Sequence, residues 1–151
     1  MSIISASRYH DFSAGHRVCG HENKCAHLHG HNYRAHFTVR SRGDLDQLGR
    51  VLDFSAINTL LCQWLESHWD HQFLLYALDP WRDALQALDP KGITLVSFNP
   101  TAENMAHHLL TVIGPQQLAG SNVILTDVTV EETRKCSATA SLYEFNQNAF
   151  I

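Results

Sequence analysis

The most distinctive chemical feature of this chain is a cluster of histidines near its N-terminus. Six of the eleven histidines lie between residues 10 and 31, and clustered histidine indicates metal binding. His29 and His31 are separated by one residue, so on a strand both side chains point to the same face. Residues 29–40 alternate between apolar and polar types, and both imidazoles fall on the apolar face. We therefore predict that they point inward as a pair of ligands.

A third histidine completes a plausible metal site. Phe12, Ala14 and His16 are each two residues apart, so they share one face of an earlier candidate strand. His16 is the last residue on that apolar face. If that strand pairs with residues 29–40, His16 can meet the other two imidazoles. Gly30 would let another backbone or a ligand approach closely. Three neutral nitrogens that leave one position open are typical of catalytic zinc.

Two alternatives remain open for this site. His21 and His27 lie in the same segment and are rival ligands, although a role in solvent or in support of neighbouring residues is the simpler interpretation. Cys19 and Cys25 could instead join histidines in a closed structural zinc site, which would leave no position for substrate.

Two further groups could move protons. Cys25 precedes His29 by four residues, and a thiol near a metal and imidazoles is favoured as thiolate, which suits a general base or nucleophile. Asp70 directly precedes His71, and a carboxylate can orient an imidazole and raise its basicity.

Glu132 is a candidate for substrate binding. Its parity is that of three apolar residues in the strand predicted over 122–132, namely Ile124, Val128 and Val130. An inward carboxylate needs a partner, and the paired N–H donors of a purine-like or pterin-like ring would match it. Three cations near these groups could meet an anionic substrate or simply face solvent: Lys24, Arg134 and Lys135.

Composition limits the classes of function. The chain has 151 residues, which suits one domain over 1–151, and 44% are hydrophobic. A net charge of -4 argues against a general nucleic-acid binder. No apolar run approaches the ~18 residues of a membrane span, and the N-terminus does not resemble a signal peptide. Four scattered cysteines do not suggest a disulfide framework, so we expect a cytoplasmic protein.

The remaining patterns predict an α+β fold. Alternation predicts strands over 3–14, 29–40, 122–132 and 138–146, with a hairpin loop at 133–137. Apolar spacing predicts helices over 55–67 and 102–113. The stretch 79–98 is interpreted as mostly loop, with a possible short strand at 93–98. The order ββααββ favours an antiparallel sheet with both helices on one face.

Several segments together resemble the 6-pyruvoyl-tetrahydropterin synthase / 6-carboxy-tetrahydropterin synthase family. They occur in the family's order along most of the chain: 12–16, 25–33, 52–54, 70–71, 100–104 and 132–133. The resemblance implies the tunnelling fold, here a four-stranded antiparallel sheet with two helices on one side. It also implies trimers or hexamers with active sites between subunits, and zinc held by His16, His29 and His31.

The same resemblance implies catalytic roles. Cys25 would be the general base, and Asp70 with His71 would complete a proton relay. Glu132 would anchor the pterin ring with help from the segment at Thr101. Two stretches depart from the family's pattern: loop 79–98 is long, and residues 134–137 differ from those expected after Glu132 and Thr133.

The spacing Cys-x3-His-Gly-His resembles the 6-carboxy-tetrahydropterin synthase of queuosine (7-deazaguanine) synthesis. It implies zinc-dependent conversion of 7,8-dihydroneopterin triphosphate to 6-carboxy-tetrahydropterin, acetaldehyde and triphosphate. Two alternatives stay open: elimination of triphosphate to give 6-pyruvoyl-tetrahydropterin, and a non-catalytic zinc-binding module.

Overall fold

The computed structural model describes residues 2–142. Six strands lie at Ala6–His16 (β1), His29–Ser41 (β2), Gln72–Tyr76 (β3), Ile93–Val96 (β4), Val123–Glu131 (β5) and Ser137–Ser141 (β6). Helix α1 comprises Phe54–Ile57, the π-helical turn Asn58–Cys62 and Gln63–His68, which follow each other without a break. Helix α2 is Arg82–Leu88, and α3 comprises Ala102–His108, the π-helical turn Leu109–Ile113 and Gly114–Gln117. A 3-10 turn lies at Lys24–Ala26.

The sheet is mixed and has the order β4-β3-β1-β2-β5-β6. Strands β1, β2, β5 and β6 pair antiparallel, whereas β3 runs parallel to both β1 and β4. The α+β class is confirmed, but the four-stranded antiparallel sheet and the order ββααββ were wrong. The missed elements are short: β3 has five residues, β4 has four and α2 has seven. Periodicity cannot classify such short segments.

The predicted boundaries need smaller corrections. Strand β1 begins at Ala6 and extends through His16, so the loop expected from residue 15 starts two residues later. The possible strand at 93–98 is β4, which ends at Val96. Strand β6 ends at Ser141, and residues 143–146 of the strand predicted there lie outside the described residues.

Helices α1 and α3 share one hydrophobic core with the inner face of the sheet. Asp53 caps α1 by accepting a hydrogen bond from the Ser55 N–H, and Thr101 caps α3 by accepting one from the Asn104 N–H. The largest buried side chains include Trp69, Tyr33 and Phe37. Among residues 2–142, none of the helices combines the length and apolar character that a membrane crossing needs.

A β-bulge interrupts the pairing of β2 with β5. Thr38 pairs with Asp127 whereas Val39 pairs with Leu125, so Thr126 is an extra residue. Its side chain is buried, and its hydroxyl lies 2.7 Å from the Oδ2 of Asp127 and 3.3 Å from the Thr38 carbonyl oxygen. Alternation therefore changes phase within β5. Ile124, expected on the buried face, is only partly buried, and its neighbour Leu125 occupies the core instead.

Candidate metal centre and active site

The pairing of β1 with β2 brings three imidazoles together. His16 lies opposite His29, and Ala14 lies opposite His31. The nearest ligand atoms of the three histidines all lie within 4.8 Å of one another, and the Nε2 atoms of His16 and His29 are 3.0 Å apart. Three imidazoles from two neighbouring strands thus converge on one point at the edge of the core.

Hydrogen bonds fix the orientation of two of these rings. The Nδ1 of His16 lies 2.6 Å from the Pro100 carbonyl oxygen, and the Nδ1 of His29 lies 2.7 Å from that of His27. A carbonyl oxygen only accepts, so each Nδ1 carries the proton and each Nε2 presents a lone pair. This is the support typical of metal-binding histidines.

The arrangement is unfavourable unless a cation occupies it. Two lone pairs face each other at 3.0 Å across the His16–His29 contact. The Nε2 of His31 is buried and has no hydrogen-bond partner. Buried polar atoms without partners cost free energy, and a divalent ion would satisfy all three nitrogens. The donor set therefore fits a metal such as zinc.

Burial favours the neutral form of two of these histidines, His16 and His31. The side chain of His16 is 1% exposed, and burial lowers its pKa to about 4, with His29 and His31 contributing in the same direction and the Pro100 carbonyl opposing them. Burial also lowers the pKa of His31, although the negative charge of Glu132 opposes the shift. Neutral imidazole is the form that binds a metal.

The two alternative ligands, His21 and His27, form other hydrogen bonds. His27 supplies the carbonyl that accepts from His29, and the Nδ1 of His21 accepts from the Asn23 N–H. Across residues 2–142, the group of side chains able to hold a metal contains the three histidines and neither Cys19 nor Cys25. All four cysteines are free. The closed cysteine site is therefore not formed.

Glu132 lies directly beside the metal-binding imidazoles. It follows the end of β5, and its Oε1 is 3.4 Å from the Nε2 of His16 and 3.5 Å from the Nε2 of His31. Its backbone N–H donates to the Cys136 carbonyl at the base of the hairpin loop. The inward direction expected from parity agrees with this position, but its closeness to the histidines was not anticipated.

Sequence reasoning missed Tyr33 as part of the site. Its hydroxyl is buried without a hydrogen-bond partner, and its ring lies 5.4 Å from that of His31. Burial raises its pKa well above the usual range, and the negative charges of Glu132 and Cys25 add to the shift. Cys25 lies in the 3-10 turn Lys24–Ala26, in the loop between β1 and β2. Its turn is held by a hydrogen bond from the Val18 N–H to the Cys25 carbonyl.

Thr101 lies at the start of α3, next to the residue that supports His16. Its hydroxyl is already engaged as the helix cap, since it accepts from the Asn104 N–H over 3.1 Å. The Asn99 side chain holds the neighbouring loop by accepting from the Cys19 N–H and donating to the Cys19 carbonyl, both at 2.9 Å. The 99–101 segment therefore connects α3 to the histidine-rich loop and to a metal-binding imidazole.

Asp70 and His71 are not brought to the metal-binding imidazoles. Asp70 accepts from the Ser13 N–H at 2.9 Å and contacts the His71 Nδ1 at 2.8 Å. His71 has a positive φ of 58° and an exposed side chain. The depression that it lines includes Gly15, Gly30 and Asn32, and it also reaches His31 of the histidine cluster.

Hydrogen bonding outweighs desolvation at Asp70. Burial alone would raise the pKa of this carboxyl, but the Ser13 N–H and the side chain of His71 more than compensate, so the pKa is lowered. Asp70 is therefore ionised at neutral pH, as required to orient an imidazole. The pair is assembled, but within residues 2–142 its hydrogen bonds and ion pairs join it to Ser13 and not to the three histidines.

The predicted cations are dispersed. Arg134 lines a depression on the outer side of the sheet together with Asp70 and Thr133. Lys24 and Lys135 are exposed. Arg34 lines the same depression as Arg134 and Asp70, and no Lys or Arg pairs with Glu132 among the ion pairs of the described residues.

Comparison with known proteins gives a consistent result. Residues 5–142 match the family model described as 6-pyruvoyl tetrahydropterin synthase. A Rickettsia typhi protein named 6-carboxy-5,6,7,8-tetrahydropterin synthase is 36% identical over 135 residues, which cover 89% of this chain and 97% of the relative. A Haemophilus influenzae protein of the same name is 31% identical, with 82% and 92% covered. The structure of Caenorhabditis elegans 6-pyruvoyl tetrahydropterin synthase superposes with a TM-score of 0.65 at 26% identity, covering 94% of this chain and 97% of that one.

Proposed function

Because this chain belongs to the 6-pyruvoyl tetrahydropterin synthase family, we propose that it is a 6-carboxy-tetrahydropterin synthase. It converts 7,8-dihydroneopterin triphosphate and water to 6-carboxy-5,6,7,8-tetrahydropterin, acetaldehyde and triphosphate, a step in queuosine synthesis. The observation that carries the proposal is the match to relatives of that name along nearly their whole length. The three convergent imidazoles of this chain agree with it.

The three histidines would hold zinc, and a zinc ion there would supply a Lewis acid for an oxygen of the substrate side chain. Cys25 is proposed as the general base, since a thiolate close to this centre can take a proton from that side chain. The Glu132 carboxylate is proposed to accept hydrogen bonds from the pterin ring, and the 99–101 segment at Thr101 would border the ring. The buried hydroxyl of Tyr33 and its ring, 5.4 Å from that of His31, border these groups.

The proton relay would come from a second copy of the chain. Among the described residues, Asp70 and His71 share no hydrogen bond or ion pair with the imidazoles or with Cys25 of their own chain, so we propose that one subunit alone does not assemble all the groups. A trimer or hexamer with active sites between subunits would allow the His71 of one copy to face the Cys25 of another. Asp70, ionised and bonded to Nδ1, would keep the other nitrogen of His71 available for proton transfer.

Product analysis tests the reaction. Purified zinc-loaded protein is incubated with 7,8-dihydroneopterin triphosphate, and the products are identified by mass spectrometry. We expect 6-carboxy-tetrahydropterin together with acetaldehyde. A 6-pyruvoyl product without acetaldehyde would instead support triphosphate elimination, the activity named for the Caenorhabditis elegans protein.

Matched variants test the roles. Cys25→Ala should lower kcat by several orders of magnitude, whereas Cys136→Ala, which changes an exposed cysteine in the hairpin loop, should not. Mixing inactive Cys25→Ala with inactive His71→Ala should restore part of the activity, because mixed oligomers contain some sites with both groups intact. Full activity of Cys25→Ala would remove Cys25 as the base, and failure of mixing to restore activity would argue against sites shared between subunits.

A further inference from the structure

We propose that Glu132 is the fourth ligand of the metal when no substrate is bound, and that the pterin ring removes it. This inference rests on the zinc and pterin assignments of the proposed function and adds a second role for one carboxylate. Glu132 would close the coordination sphere in the resting protein and open it when the ring arrives.

The distances around the histidines support a tetrahedral site. Ligand bonds of about 2.0–2.1 Å at tetrahedral angles place neighbouring ligand atoms about 3.3–3.4 Å apart. The Oε1 of Glu132 lies 3.4 Å from the Nε2 of His16 and 3.5 Å from that of His31. The Nε2 atoms of His16 and His29 are 3.0 Å apart. The carboxylate oxygen is therefore separated from two imidazole nitrogens as a fourth vertex would be.

The electrostatics favour the same contact. Imidazole binds a metal as a neutral ligand, so an ion held by the three histidines alone would retain its full positive charge in a partly buried site. Glu132 adds one negative charge, and its ion pairs within the described residues are those with His16 and His31. Within the described residues, Glu132 has no Lys or Arg partner in these ion pairs and lies beside the Nε2 atoms of His16 and His31, so its carboxylate is a favourable ligand for a divalent cation.

Glu132 is also placed to leave. Its side chain is 26% exposed, compared with 1% for His16, and it lies beyond the end of β5, next to the hairpin loop. The same oxygens cannot both complete the coordination sphere and accept two hydrogen bonds from a pterin ring in the outer part of the pocket. Binding of the ring would thus free the fourth position in the subunit that has just received substrate.

Cobalt substitution makes the coordination visible. The full-length protein is loaded with Co²⁺, whose visible absorption reports coordination number and ligand type, and zinc affinity is measured by competition with a chelator. Glu132→Gln should change the cobalt spectrum and weaken zinc binding by at least about tenfold. Glu132→Asp, which keeps the charge but shortens the side chain, should produce the same spectral change with a smaller loss of affinity. Glu131→Gln is the matched control, because Glu131 faces the other side of the sheet and bonds to His36 at 2.7 Å.

Ligand titration tests the exchange. Adding neopterin, which has the ring but no triphosphate, to the wild-type cobalt protein should change the spectrum as Glu132 leaves. If Glu132→Gln and Glu132→Asp keep the wild-type spectrum and zinc affinity, the inference is wrong, while product formation by the zinc-loaded wild-type protein would leave the proposed function intact. If the wild-type protein binds neither Co²⁺ nor Zn²⁺, both the inference and the metal assignment fail.

Discussion

Gly30 separates the two histidines of β2, and replacing it with alanine should damage the metal centre. A Cβ at this position would lie 3.0 Å from the Ala14 carbonyl oxygen and 3.6 Å from the Gly15 Cα. Both neighbours are backbone atoms of β1, so a side-chain rotation cannot relieve the contact. Strands β1 and β2 must instead separate by a few tenths of an ångström, between the residues that carry the imidazoles.

The cost follows from comparison with a glycine in open space. Overpacking costs about 1–3 kcal/mol, whereas replacing glycine by alanine restricts the unfolded chain and returns about 0.4–1 kcal/mol. A Cβ at Gly43 has no neighbour within 4 Å, and its φ is not in the left-handed region. Gly43→Ala restricts the unfolded chain in the same way but adds no close contact in the folded protein. Gly30→Ala should therefore be less stable than Gly43→Ala by about 1–3 kcal/mol.

Urea unfolding of the metal-free protein measures that difference, and chelator competition measures zinc affinity. We expect weaker zinc binding in Gly30→Ala, since the strand shift displaces His29 and His31 relative to His16, and unchanged binding in Gly43→Ala. Equal stability and equal zinc affinity of the two variants would refute the claim that this close backbone approach positions the ligands.

Three other predictions follow from buried polar groups. Tyr33→Phe removes a hydroxyl that has no partner, so the free energy of unfolding should be unchanged or rise by up to about 1 kcal/mol, and a clear loss would reveal a hidden partner. Because burial lowers the pKa of His16 from 6.5 to about 4, the unfolded chain binds more protons between these values. The metal-free protein should therefore lose up to about 3 kcal/mol of stability as pH falls from 6.5 to 4, measured by urea unfolding at several pH values, and a flat profile would contradict it. Asp79→Ala should destabilise the protein by about 3–5 kcal/mol because it leaves the guanidinium of Arg17 buried and unpaired, whereas Asp83→Ala, at an exposed ion pair with Arg82, should change thermal unfolding little. Similar effects of these two substitutions would contradict the difference in burial.

The position of the histidines could be predicted because they lie on long strands. Alternation over β2 assigns His29 and His31 to the inner face from local sequence alone, and His16 continues the parity of Phe12 and Ala14 on the strand that pairs with it. The face to which a side chain points depends only on its position along the strand, so it can be predicted from local sequence wherever the strand is regular.

What could not be predicted depends on contacts distant in sequence. The acceptor for His16 is a carbonyl at residue 100, and the neighbour of Glu132 is an imidazole more than 100 residues away. The segment 72–76 has an apolar run that suits either a strand or a buried helix, so only its pairing with β1 and β4 defines it. The orientation of Asp70 and His71 likewise depends on where they dock against Ser13.

The bulge in β5 changes which alternate residues of the strand face the core. Leu125 and Val128 both face the core although they are three positions apart. This is possible because Thr126 is an extra residue with no paired residue on β2. From Val128 onward the side chains alternate regularly between the two faces, so Val130 and then Glu132 also point inward. Losing either Thr126 or Asp127 would leave one residue between Leu125 and Val128 and keep both halves in phase. Losing a single residue from 128 to 131 with the bulge retained would turn the carboxylate of Glu132 to the other side of the sheet, away from the histidines.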